Sequence, residues 1–234
     1  MLSPLYFCFW CMKVVAEERK QKTDQLLLTA PVSVGKIIMG KYLALLAVFL
    51  IPVAIICTYP LILGKYGTIS YAMAYTSILG FVLLGAAQIA VGVFLSSITE
   101  NPVIAAVMTF IVLFVCYMIT GIATLIPETS GSSLAIYMLL TAALAMIIYH
   151  MIKNLWIAGG IGIAGEAALL IAYFVKPTLF ESGIQKFLGI FDITSHFDNF
   201  TNGILDLNGV VYFLSVIIVF VFLSIQTITK RRWN

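Results

Sequence analysis

The densest collection of charge in the chain is Glu17-Glu18-Arg19-Lys20-Gln21-Lys22-Thr23-Asp24, which runs on into Gln25-Leu26-Leu27-Leu28-Thr29-Ala30-Pro31-Val32-Ser33. Glu18 and Lys22 stand four apart in the order that favours a helix, and Lys20 and Asp24 repeat the spacing. Leu26–Leu28 then form an apolar patch, and Pro31 ends the helix. Ser33 is placed to cap a following helix that starts into an apolar run at Ile37 and Ile38. Two readings stand for this segment. A short charged helix with exposed leucines can seat in a groove of another protein, or it can lie on lipid headgroups as a surface helix.

Few other residues could do chemistry. Glu166 is the one acidic residue deep inside a long apolar run, and a charge there costs at least a few kcal/mol in a membrane. It either lines a polar path, pairs with a partner, or stays protonated in a tight helix contact. Gly159, Gly160, Gly162 and Gly165 around it permit such close approach. Gln88 reads more simply as an interhelical hydrogen-bonding group. His196 shares a polar cluster with Asp192, Asp198 and Asp206 but lacks metal-ligand spacing, and His150 reads as interfacial. Cys8 and Cys11 have CxxC spacing without a second pair, so they carry neither a metal nor a redox reading. Asn199-Phe200-Thr201 is a formal glycosylation sequon, read as chance. No GxxxxGK[ST] run is present to cradle ATP phosphates.

The elements that must position these residues follow from composition. Of 234 residues, 62% are hydrophobic and only 10% charged, and the mean hydropathy is +1.09. A soluble domain carries about a quarter charged residues, so most of this surface must face lipid or other helices. Backbone polar groups in hydrocarbon need internal partners, which makes helices the default. A net charge of +3 gives no reason to expect nucleic acid. A cleavable signal peptide is not recognisable at the start.

A membrane-crossing helix needs about 20 apolar residues. Six runs qualify or nearly so: Tyr42–Leu63, Tyr71–Leu95, Val103–Ile126, Leu134–Met151, Leu155–Val175 and Val210–Ile228. Leu2–Met12 is too short and reads as the end of a partial span. The expected fold is therefore all-α, a polytopic transmembrane bundle forming one domain over 1–234. Alternating six spans puts Lys13, Arg19, Lys20, Lys22, Lys36, Lys41, Lys153, Lys230, Arg231 and Arg232 on one side, which is then cytoplasmic. Lys65, Lys176 and Lys186 fall opposite. Segment 13–41 and the C-terminus are thus cytoplasmic. The loop 176–209, with Phe180, Phe187, Phe191, Phe197 and Phe200, is external. It holds either short interfacial helices or a loop packed on the bundle, and it gates or shields the outer exit.

The run EERKQKTDQLLLTAPVS followed by KIIMGKYLA resembles the cytoplasmic signature of ABC-2 type permeases, closest to the gliding-motility-type branch. GFVLLGAAQIAVGVFLSSITENPVIAAV and HFDNFTNGILDLNGVVYF agree with it. The resemblance covers most of the chain from Ala16 onward and is weak over 126–185. It implies that segment 13–41 holds a coupling helix, with Glu17, Glu18, Arg19, Thr23, Leu26, Leu27 and Pro31 docking on a separate ATP-binding subunit. It implies a second permease chain, export across a bacterial plasma membrane, and ATP and Mg held by the partner, with no catalysis or cofactor on this chain. It also leads us to expect a first helix and the rest of a second before residue 1.

Three other readings compete. CAAX-type intramembrane proteases carry Glu-Glu with an arginine four residues on, where this chain has Lys22. A zinc site shared with His196 would also have to bridge the membrane. A secondary transporter needs ionisable groups in several spans and commonly inverted repeats; Glu166 stands alone and no repeat is evident. A membrane scaffold without transport is the third.

Overall fold

A computed structural model describes residues 33–125, 129–152, 155–175, 183–189 and 192–232. Their regular structure is helical: α1 (Val34–Ile56), α2 (Tyr59–Leu63), α3 (Tyr71–Ile98), α4 (Pro102–Leu125), α5 (Ser130–Ile152), α6 (Leu155–Val175), α7 (Gly183–Gly189), α8 (Ile193–Thr201) and α9 (Leu207–Arg232). Four stretches among the described residues are long and apolar enough to cross a membrane: Val34–Leu63, Tyr71–Ile98, Pro102–Ile119 and Leu207–Lys230. The six expected apolar runs fall on helices among the described residues, the first of them broken by a turn at Cys57–Thr58, and Ile126 lies outside the described residues; α5 and α6 do not add to these four. The chain forms two compact units.

The first unit holds the described residues up to Tyr117 and those from Ile193 onward. Its centre is α3, which packs against α1, α8 and α9. Small residues make this possible: Gly85, Ala86, Ala87, Ala90 and Gly92 are all buried on α3. Within a membrane, helices gain little from excluding water, so close backbone approach and dispersion contacts hold them together. On α1 the buried residues are Val34, Ile38, Tyr42, Leu45, Phe49 and Val53, a three-and-four spacing that makes one stripe. That stripe meets Ile89, Ala90 and Val93 of α3 and Val221 of α9. Leu113 of α4 joins Val91 and Leu95. Two buried hydroxyls are satisfied within their own helices: Thr109 donates to the Ala105 carbonyl (2.8 Å) and Ser224 to that of Phe220 (2.8 Å).

The helix ends show sequence chemistry directly. Helix α4 starts with Pro102 behind Asn101, whose side-chain oxygen accepts the Val103 N–H at 3.0 Å. Ser33 does stand before α1, but its hydroxyl makes no cap bond. Its carbonyl takes the Lys36 and Ile37 N–H groups instead. Helix α1 begins directly behind Ser33, as the capping reading expects, and so takes in Lys36 and Lys41 before the apolar run at Tyr42.

The second unit, Met118–Asp192, pairs α5 with α6, and α7 also packs on α5. Ser133 of α5 and Ile184 of α7 are buried.

Candidate functional site

Glu17, Glu18, Arg19, Thr23, Leu26, Leu27 and Pro31 lie outside the described residues, as does the cysteine pair Cys8 and Cys11. What the structure supplies is the element these residues feed, α1, and the way it is fastened. The Tyr42 hydroxyl donates to the Ala86 carbonyl at 3.2 Å, within the buried α1–α3 contact. Two turns along, the Phe49 ring sits over Gly85, so closely that a Cβ there would collide with the ring's far edge. Phe81 flanks the same ring at 5.7 Å.

A second aromatic peg sits further along α3. Phe200 of α8 is fully buried and lies between Gly80 of α3 and Gly209 of α9. A Cβ on Gly80 would come within 2.6 Å of the Phe200 Cβ, and one on Gly209 within 2.7 Å of its ring. Ser77 of α3 donates to the Phe200 carbonyl at 3.2 Å. Helix α8 ends in two bonds that close its last turn: the Ile204 N–H reaches the Asn199 carbonyl and the Gly203 N–H that of Phe200. Gly203 takes the left-handed conformation this requires, at φ 78°. Within loop 176–209 the described residues hold the short helices α7 and α8, and α8 packs on α3 and α9 with Phe197 and Phe200 turned inward.

The chain then turns into α9 under a capped start. The Asp206 carboxylate accepts the Asn208 N–H at 2.9 Å and the Asn199 side-chain amide at 2.8 Å. The Asn199 bond, then the backbone bonds, and a smaller attraction from His196 hold its carboxyl below the usual value, against some desolvation. His196 stacks on Tyr212 at 4.1 Å. Among the described residues no three His, Cys, Asp or Glu side chains come together to hold a metal. The sequon residue Asn199 thus has a structural duty. Asp206-Leu207-Asn208 before an apolar run is a capping signal that sequence reading passed over.

The Asp206 cap has a pH signature. A depressed carboxylate contributes stability above its unfolded pKa, about 3.9, and loses it as pH falls through the lower folded value. The thermal midpoint in detergent is expected to drop in that acid range for the wild type. Asp206→Ala is expected to lower the midpoint at neutral pH and to flatten the acid drop. An unchanged midpoint at neutral pH would remove the cap from the stability account.

Gln88 lies at a narrow cleft lined also by Leu84, Ala87, Val91, Leu113 and Phe213. The cleft encloses about 10 Å³, roughly the room for one water. Glu166 is half-buried on α6. Its neighbour Gly165 faces Thr141 of α5, and a Cβ there would meet the Thr141 methyl at 3.9 Å. The two intramembrane candidates therefore sit in different units and are not brought to one site by either.

Comparison with curated proteins returned no match, and comparison with solved structures returned none. The family model described as ABC-2 family transporter protein matches residues 1–232. With nearly the whole chain matched and its spanning helices in place, this protein belongs to the ABC-2 transporter family and is a membrane permease of an ABC transporter.

Proposed function

We propose that the chain is the permease subunit of an ABC exporter, driven by a separate ATP-binding subunit through the coupling segment within 13–41. The family match over residues 1–232 carries this reading. The charged, leucine-bearing run Glu17–Ser33 supplies the docking surface, and it leads directly into α1. ATP and Mg are held on the partner, and this chain does no catalysis. Closure of two ATPases moves two permease chains between inward-open and outward-open states. The bundle has six spans, its C-terminus is cytoplasmic, and it sits in a bacterial plasma membrane in the gliding-motility-type branch of the family.

The test is co-expression with an ABC ATP-binding subunit from the same genome. The two chains are expected to co-purify in detergent, and reconstituted vesicles to show ATPase activity that the free ATPase lacks. A chain that purifies alone under these conditions would count against the proposal.

Glu166 is assigned to the polar path. Glu166→Gln keeps the shape and hydrogen bonding while removing the ionisable group. Assembly with the ATPase is expected to persist while transport falls several-fold. Unchanged transport would take Glu166 out of the path.

A further inference from the structure

The hairpin joining α1 and α3 holds four tyrosines in a short stretch, Tyr59, Tyr66, Tyr71 and Tyr75, and all are exposed, Tyr66 by 88%. Leu61, Ile62 and Leu63 of α2 are exposed beside them. Lys65 stands among these residues and is the sole charged residue between Lys41 and Glu100. The two ends of the hairpin touch: the Tyr71 hydroxyl packs over Gly64, where a Cβ would collide with it. Tyr71 and Tyr75 are four apart on α3 and so share a face.

Tyrosine joins an apolar ring to a polar tip, and it concentrates where hydrocarbon meets water. The distance fits that boundary. The uncharged run from Tyr42 to Gly64 has about the 20 residues that cross a hydrocarbon core of ~30 Å. Exposed apolar residues also lie on both helices of this span. Ile51 and Ile55 of α1 are exposed, and Leu61–Leu63 close the same candidate membrane span, Val34–Leu63. A lysine at its end can reach phosphate while its stem stays in the apolar layer.

We infer that this hairpin is an interfacial anchor for phospholipid, with Tyr59, Tyr66, Tyr71 and Tyr75 at the headgroup–acyl boundary and Lys65 on lipid phosphate. It sets the depth of α1 and α3 from the end opposite Lys36 and Lys41. The occupant is lipid rather than a protein, because Tyr59–Leu63 end a helical stretch apolar enough to cross a membrane and the single charge beside them, Lys65, suits an anionic headgroup.

The test places an indole in the hairpin by Tyr66→Trp, with Trp10, Trp156 and Trp233 changed to Phe. The full chain is reconstituted in vesicles of phosphatidylcholine and phosphatidylglycerol. Blue-shifted emission is expected, with resistance to aqueous acrylamide. Lipids brominated near the headgroup should quench it more than lipids brominated near the chain end, independent of protein density. Water-like emission quenched by acrylamide and by neither bromolipid would overturn the inference. So would shielding that appears only at high protein density, which would mark a second copy as the occupant. Raising the phosphatidylglycerol fraction is expected to shift the emission further to the blue; Lys65→Gln is expected to abolish that dependence, and an unchanged dependence would overturn the phosphate contact.

Discussion

Leu27→Asp is expected to abolish co-purification with the ATPase and to eliminate coupled ATPase activity, while the permease still inserts and purifies. Leu26, Leu27 and Leu28 give the charged run Glu17–Ser33 an apolar patch. Seated in a partner's cleft, the leucine loses its contact with water. A carboxylate in the same place is buried without a partner, and that costs several kcal/mol. Since each 1.4 kcal/mol is about tenfold in affinity, the loss should exceed ~100-fold. Leu27→Ala removes contact without introducing charge and should weaken association much less. The comparison separates docking from general damage, because both variants precede the first described helix and leave its buried stripe intact. If the segment instead lies on headgroups, Leu27→Asp weakens membrane attachment and leaves association with the ATPase unaltered. Full assembly with normal stimulated ATPase activity would sink the coupling assignment.

The class of fold was legible because it depends on a bulk property. Uncharged runs such as 42–64 and 66–99 can be covered only by lipid or by other helices. Element ends were less legible. Lys36 and Lys41 read as flanks, yet both belong to α1, since long basic side chains can leave the apolar layer without breaking the helix. The Asp206 cap was legible in principle, as its signal is local. The pegs were not. Gly80 and Gly85 look alike in sequence, and what distinguishes them is an aromatic ring from α8 in one case and from α1 in the other. Such a role depends on distant chain, so spacing alone does not reveal it. Gln88 and Glu166 stood out as polar residues in apolar runs, but the sequence did not assign them to separate units.

The two pegs should respond differently to rescue. At Gly85 the nearest atoms to an added Cβ are the Phe49 ring's Cζ and Cε atoms, the far end of the side chain. At Gly80 they are the Phe200 Cβ and Cγ, at 2.6 and 2.8 Å, the root of the side chain. Gly85→Ala and Gly80→Ala are each expected to cost ~1–3 kcal/mol as overpacking, read as a lower thermal midpoint in detergent. Shortening the ring relieves only one of them. Phe49→Leu removes the atoms that meet Gly85→Ala, so the double variant should regain much of the loss. The two substitutions should couple by about 0.5–3 kcal/mol in a double-mutant cycle. Phe200→Leu keeps its Cβ and Cγ, so it should not rescue Gly80→Ala. The backbones of α3 and α8 must separate instead, and Gly209 on the far side of the ring leaves Phe200 little room to retreat. Rescue at both positions would show that α8 yields as readily as a ring tip. Rescue at neither would show that the Phe49 contact is also fixed at the level of the backbone.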